Sequence, residues 1–163
     1  VKEVVEENGG KPLRSRVGHS FIKAMMAESG AIFGGEHSGH FYFADFWRAD
    51  SGMLAALHAI AALGASDKTL SQLLAPYARY FASGEINSKV ADSKAIMAGI
   101  KESYGSKPGV TMDELDGLTV DGDTWWFNVR ASNTEPLLRL NVEAKTQSQM
   151  EALRDEVLAV IRG

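Results

Sequence analysis

Arg130-Ala131-Ser132-Asn133-Thr134-Glu135-Pro136 gathers a guanidinium and three short hydrogen-bonding side chains into one stretch. An arginine can make two parallel charge-assisted hydrogen bonds to an oxyanion. Ser132, Asn133 and Thr134 can each donate another, and Pro136 stiffens the exit. Such a group suits a phosphate, although Ser, Asn and Thr also build ordinary polar turns. Glu135 would repel an anion, so its side chain is expected to point away or to bond loop amides. A second constellation is Gly34-Gly35-Glu36-His37-Ser38-Gly39-His40. Its glycines allow a sharp turn and close approach of backbone to a ligand. Glu36 can accept two hydroxyl hydrogen bonds, Ser38 can donate or accept, and His40 titrates near neutral pH. A carboxylate beside hydroxyl partners suits a sugar; the alternative is a glycine-rich hairpin with solvated Glu and His.

The elements that must hold these loops are legible as alternations and periods. Residues 125–130 read as a strand with Trp125, Phe127 and Val129 on one face. Leu138, Leu140 and Val142 alternate with Arg139, Asn141 and Glu143 in the next strand, so the arginine loop is gripped between two strands. Strand support of this kind keeps anion donors apart. A hairpin is expected around Asp121-Gly122. Strand 86–90 precedes a helix capped by Asp92, with Ile96, Ile100 and Tyr104 four apart. A last helix opens with a capping-box pattern at Thr146 and Gln149 and buries Met150, Leu153, Val157 and Ile161. The glycine loop lies between short apolar strands at 31–33 and 41–43. Ahead of it come a helix ending at Asn8, a possible strand over 12–17 and a helix over 21–29 stopped by Gly30. Behind it, Asp50 is expected to cap a helix carrying Met53, Leu54, Leu57, Ile60 and Leu63. Residues 1–75 thus form a partial α/β domain, 76–84 a connection or hinge, and 85–163 an α+β domain.

Composition narrows the function classes. The chain has 163 residues, is 45% hydrophobic and carries a formal charge of -4, so it is expected to build a real core and gives no support for nucleic-acid binding. With no cysteine there is no disulfide and no thiolate metal site. No apolar run approaches membrane-spanning length, and a cytoplasmic protein is expected.

The two loops, in this order and about ninety residues apart, resemble those of the α-D-phosphohexomutase family. Val17-Gly18-His19-Ser20-Phe21-Ile22-Lys23 is similar to the segment preceding that family's sugar loop. The resemblance covers essentially the whole chain and implies the last part of the family's third α/β domain, followed by its fourth, TATA-box-binding-protein-like α+β domain. It implies that Glu36 and Ser38 contact hexose hydroxyls, and that Arg130, Ser132, Asn133 and Thr134 hold the phosphate that is not being transferred. His19 and His40 match active-site histidines and become candidates for proton transfer or phosphate contact; for His19 a role confined to the helix start is the alternative. The implied reaction interconverts hexose 1-phosphate and hexose 6-phosphate through a phosphoserine and a hexose 1,6-bisphosphate, with Mg2+ for the whole enzyme. Phe41-Tyr42-Phe43-Ala44-Asp45-Phe46 and Ala49-Asp50-Ser51-Gly52-Met53 are most like bacterial phosphomannomutases. Glucose or glucosamine phosphate remains an alternative substrate.

The family's phosphoserine loop and its Asp-x-Asp-x-Asp-Arg metal loop are not in this sequence. Asp121-Gly122-Asp123 lacks the third Asp and the Arg. The chain is therefore expected to be a C-terminal piece, inactive alone, whose partners are the hexose phosphate and the N-terminal domains of the same enzyme. The alternative is a free-standing, non-catalytic sugar-phosphate-binding module. The incomplete first domain is expected to expose apolar surface.

Overall fold

The computed structural model describes residues 1–132 and 135–163; Asn133 and Thr134, two of the four residues assigned to the phosphate loop, lie outside the described residues. The chain divides into two compact units, Val1–Tyr77 and Ala78–Gly163.

The first unit opens with α1 (Lys2–Glu7) and continues to α2 (His19–Ser29), which Gly30 ends in the left-handed region at φ 71°. The expected strand over 12–17 is absent, and residues 11–16 form no regular element. Pro12 lacks a backbone donor, and no described strand offers this segment a partner. Strands β1 (Phe33–Gly35), β2 (Phe41–Phe43) and β3 (Ala49–Asp50) form an antiparallel sheet in that order. The first of them runs two residues later than expected. Gly35 pairs with Phe41, so the ladder extends into the glycines, and Ala31 is used in leaving the helix. Gly34 permits this, because a Cβ there would sit 3.0 Å from Ile22 Cγ2 and 3.2 Å from Met26 Sδ. Strand β1 can therefore lie directly on α2. The core of the unit is small: Ile22, Met26 and Tyr42, with Ala31 and Ala44 against it.

Helices α3 (Gly52–Gly64) and α4 (Leu70–Leu74) complete the unit. The cap of α3 is a correction. Ser51, not Asp50, accepts from the Leu54 amide at 3.1 Å. Asp50 is the last residue of β3 and directs its carboxylate elsewhere. No residue of α3 is buried: Met53 is 75% exposed, Leu57 55% and Ile60 64%.

The second unit is an antiparallel sheet with two helices. Its elements are β4 (Phe81–Ala82), β5 (Ile86–Lys89), α5 (Ser93–Gly105), β6 (Thr111–Asp113), β7 (Leu118–Gly122), β8 (Trp125–Ala131), β9 (Leu137–Ala144) and α6 (Gln147–Arg162). The sheet order is β4-β9-β8-β7-β6, and β5 pairs with the same edge of β9 as β4. Strands β4 and β6 go beyond the sequence expectation; two or three residues each carry too little alternation to register.

The alternation expected in the long strands is observed. Phe127, Val129, Leu138, Leu140 and Val142 are each at most 1% exposed. They meet Ile100 and Tyr104 of α5 and Met150, Leu153, Val157 and Ile161 of α6 in one core. Each such side chain contributes on the order of 1.5–3 kcal/mol by leaving water. Asp92 caps α5 as expected, accepting from the amides of Lys94 and Ala95 at 3.0 Å each.

Two turn details differ. Asp121 and Gly122 are the end of β7, with Gly122 opposite Trp125, so the hairpin turns at Asp123-Thr124. At α6, Thr146 accepts from the Gln149 amide at 3.2 Å, but the Gln149 side chain bonds Thr124 Oγ1 at 2.8 Å. That fastens the helix start to the hairpin turn rather than completing a capping box. A full capping box forms instead at Thr69 and Gln72.

Candidate functional site

In the first unit the sheet and α2 bring five polar side chains together. Residues 36–39 make the turn between β1 and β2, closed by Glu36 N–H to His40 O at 2.9 Å and Gly39 N–H to Glu36 O at 3.0 Å. Glu36 is fixed at both carboxylate oxygens. The buried Tyr42 hydroxyl donates to Oε1 at 2.5 Å, and the Gly18 amide, at the start of α2, donates to Oε2 at 3.3 Å. An ionised carboxylate offers about four acceptor positions, so lone pairs remain for further hydroxyl donors. The Tyr42 proton is held tightly: burial, reinforced by the Glu36 carboxylate, raises its pKa well above the ordinary tyrosine value.

His40 is oriented from the other side. The register sets Tyr42 opposite Asp50, which lets the Asp50 carboxylate reach back along β2. Its Oδ2 lies 2.6 Å from His40 Nδ1, and its Oδ1 accepts from the Phe41 amide at 2.8 Å. A carboxylate only accepts, so Nδ1 carries the hydrogen and Nε2 is left for other chemistry. The hydrogen bond to Asp50 raises the His40 pKa against the opposing effect of desolvation, and the same bond lowers that of Asp50. The His19 ring stands edge-on to His40 with centroids 4.6 Å apart, and 5.3 Å from Tyr42. Ser38 and His37 are exposed on the turn.

His19, Glu36 and His40 are thus assembled as a group, with Ser38 on the turn beside Glu36. Tyr42 and Asp50 join them and had no functional reading in the sequence. Tyr42 reads as one more apolar strand residue. The position of Asp50 just before a helix masks its role as a cross-strand partner. His19, His40 and Asp50 place potential ligand atoms within 4.8 Å of one another. Two imidazoles and one carboxylate do not form the oxygen-rich set that Mg2+ requires, so these residues do not fit as a Mg2+ site.

In the second unit, Arg130 and Ser132 lie at the end of β8, both partly buried. The Ser132 amide donates to Leu137 O at 2.9 Å and the Leu137 amide to Glu135 O at 2.8 Å, closing the loop between β8 and β9. Glu135 is exposed. Arg130 Nη1 lies 3.4 Å from Asp116 Oδ2, a pairing the sequence does not reveal because the two residues come from different strand ends. Asp116 is itself fixed, since Asn128 Nδ2 donates to its backbone oxygen at 2.9 Å. Gly117, at φ 73°, presses on the strand: a Cβ there would come 2.5 Å from Val129 O and 2.9 Å from Arg130 Cβ.

The chain is similar to known proteins along nearly its whole length. Residues 1–80 match phosphoglucomutase/phosphomannomutase, alpha/beta/alpha domain III, and residues 85–160 match phosphoglucomutase/phosphomannomutase, C-terminal domain. The chain is 43% identical over 161 residues to a phosphomannomutase of Methanocaldococcus jannaschii, covering 99% of this chain and 35% of that protein. It is 45% identical over 145 residues to a phosphomannomutase of Vibrio cholerae serotype O1, covering 88% of this chain and 31% of the relative. A crystal structure of a phosphoglucomutase/phosphomannomutase family protein from Burkholderia thailandensis superposes with a TM-score of 0.78 at 27% identity, over 98% of this chain and 34% of that one. The chain therefore spans about a third of the length of the relatives it matches. It belongs to the phosphoglucomutase/phosphomannomutase family, of which it carries the third and C-terminal domains.

Proposed function

We propose that this chain supplies the sugar-binding and phosphate-binding parts of a phosphomannomutase, an intramolecular phosphotransferase that interconverts mannose 1-phosphate and mannose 6-phosphate. The observation that carries the reading is the state of Glu36. It is held at both oxygens by Tyr42 and Gly18, beside a histidine oriented by Asp50. A carboxylate fixed in this way meets sugar hydroxyls without losing side-chain freedom on binding. Glu36 and Ser38 bind hexose hydroxyls. His40, with a raised pKa and a free Nε2, holds or passes a proton, and His19 stands beside it. Arg130, Ser132, Asn133 and Thr134 hold the phosphate that is not transferred. Mannose is favoured by the relatives named phosphomannomutase.

The phosphoryl chemistry belongs to the remainder of the enzyme, where a phosphoserine and Mg2+ would act through a hexose 1,6-bisphosphate. Those N-terminal domains are the proposed partner of the first unit and of its exposed α3. A cytoplasmic setting fits a cysteine-free chain in which, among the described residues, no helix is long and apolar enough to cross a membrane.

The test is an amide-resolved NMR titration of the 163-residue chain. Mannose should shift only residues 18 and 34–42, inorganic phosphate only residues 130–137, and mannose 6-phosphate both sets. A dissociation constant on the order of 1 mM, about 4 kcal/mol, is expected from partial contacts. A coupled assay with mannose 1-phosphate, Mg2+ and bisphosphate should show no turnover. Shifts confined to other surfaces would overturn the assignment of the loops, and turnover would overturn the assignment of the chemistry to other domains.

A further inference from the structure

Three of the side chains gathered in the first unit carry donor atoms for a metal other than Mg2+. His19, His40 and Asp50 each offer one ligand atom within 4.8 Å of the other two. They come from three places in the fold: His19 opens α2, His40 ends the turn before β2, and Asp50 ends β3. Two imidazole nitrogens and a carboxylate oxygen suit Zn2+ and its neighbours among the divalent transition ions. The chain has no cysteine, so no thiolate competes for such an ion. The Asp50 carboxylate is already fixed. Its Oδ1 accepts from the Phe41 amide at 2.8 Å, and its Oδ2 lies 2.6 Å from His40 Nδ1. Ligand atoms around a tetrahedral Zn2+ stand about 3.3 Å apart, given bonds of roughly 2.0–2.1 Å. The His40–Asp50 pair therefore has to open slightly and His19 has to move closer. The His19 ring is exposed and makes no hydrogen bond among the described residues, so it can swing. Glu36, held at both oxygens beside this group, adds negative charge without ligating.

We propose that His19, His40 and Asp50 form a binding site for Zn2+ or a similar divalent transition ion, which takes the place of the hydrogen between His40 Nδ1 and Asp50 Oδ2. Three protein ligands leave a fourth position at the ion for water. A neutral imidazole keeps one hydrogen. With the ion on Nδ1, that hydrogen is carried by Nε2. The nitrogen that is bare in the ion-free site thus becomes a donor, and His40 can no longer accept a proton there. The ion is therefore an inhibitor of the proposed mutase, acting through the tautomer of a single ring. This consequence rests on the proton role assigned above to His40; the ion site itself rests only on the geometry of the three side chains. Mg2+ does not compete, because it prefers oxygen ligands and gives up its waters reluctantly.

The experiment is a Zn2+ titration of the 163-residue chain, followed by NMR at the ring nitrogens and ring protons of its 4 histidines. His40 Nδ1 should shift as the ion binds and its hydrogen should appear on Nε2, with His19 shifting in step. His37 and His58, exposed on the turn and on α3, should not respond. His19→Ala and Asp50→Asn should each weaken Zn2+ roughly 10–100-fold, the usual cost of removing a group that holds a metal site together. Because the His19 side chain is exposed, its variant keeps the fold and tests the site even if Asp50→Asn disturbs the turn between β2 and β3. His58→Ala, which removes a histidine outside the group, should leave the affinity unchanged, and Mg2+ in large excess should not displace Zn2+. Shifts confined to His37 or His58, or an equal loss in His58→Ala, would reduce the binding to scattered surface histidines and overturn the proposal. An ion held on His40 Nε2, with Asp50→Asn without effect, would refute the three-ligand site, and displacement by Mg2+ would refute the choice of ion. Mannose in a separate, Zn2+-free arm keeps the two readings apart. If Zn2+ binds and mannose does not, the ion site stands and only its consequence for the mutase falls. If mannose shifts residues 18 and 34–42 while Zn2+ leaves His40 unmoved, the ion site is refuted and the sugar reading stands.

Discussion

The Asp50 carboxylate accepts from the Phe41 amide and from the His40 ring at once, and this decides what His40 can do. The folded pKa of His40 lies above its ordinary 6.5, and that of Asp50 below its ordinary 3.8, each mainly because of the hydrogen bond between them. A raised histidine pKa contributes stability that is complete below 6.5 and is lost as pH climbs through the folded value. A lowered aspartate pKa contributes stability that is present above 3.8 and is lost as pH falls through its folded value. The pair is therefore fully effective between those two ordinary values and fails on either side. Both side chains are partly exposed, so the effect on global stability is small; the effect on the proton is the useful one. Asp50→Asn should bring the His40 titration midpoint down toward 6.5 in a ring-proton NMR titration, with the other histidine signals as internal references. A midpoint that does not move would show that the raised pKa has another source. None of this is legible at Asp50 in the sequence. Its place ahead of a helix invites a capping role, and the real partner lies across a turn closed by Trp47 and Arg48, both at positive φ. Two consecutive non-glycine residues in that region carry no local signature.

At the scale of elements, what was legible was what repeats. Leu138, Leu140 and Val142 announce β9 by their alternation, and Met150, Leu153, Val157 and Ile161 announce the buried stripe of α6; all seven are buried. Strands β3, β4 and β6 have two or three residues each and offer neither a period nor an unbroken aromatic run like Phe41-Tyr42-Phe43, so they are not legible, and the Asp121-Gly122 pair points to a turn two residues early. The loops were legible as chemistry because several donor types crowd into few positions. What fixes them was not, because it comes from distant strand ends. Gly117 is the clearest case. It lies in the turn before β7, yet its backbone rests on Val129 O and Arg130, so it sets where the strand carrying Arg130 can lie. Gly117→Ala adds a Cβ that would stand 2.5 Å from a carbonyl oxygen, in a residue at φ 73°. The strained backbone alone costs about 1–3 kcal/mol, and the clash with backbone adds to it. Thermal unfolding of the variant should show a loss of at least that size, together with shifted amide signals for residues 128–132. A melting point equal to that of the parent would mean that the turn moves away freely and does not position Arg130.

Across the whole molecule the two units differ in how they bury apolar surface. The second closes its sheet with α5 and α6 over a single large core. The first buries three residues and leaves α3 without any buried position, although that helix is almost entirely apolar. Met53, Leu57 and Ile60 are four and three residues apart, so they share one face of the helix, and each is more than half exposed. Ile32 adds another apolar side chain at 81% exposure. The apolar face of α3 drives association in water at roughly 25 cal/mol per Å² covered. A formal charge of -4 on 163 residues gives little repulsion to oppose it. The isolated chain should therefore associate with a second copy through α3, with a weight-average mass in sedimentation equilibrium that rises over the tens of micromolar. The double substitution Met53→Lys and Ile60→Lys should hold the chain at 17.6 kDa, allowing for the substitutions, across the same range. Because both side chains face solvent within the unit, the melting temperature of the dilute protein should be nearly unchanged. A parent chain that stays monomeric at every concentration would show that α3 is protected in solution by a rearrangement of the first unit. A double variant that unfolds would place Met53 and Ile60 in a core rather than on a surface.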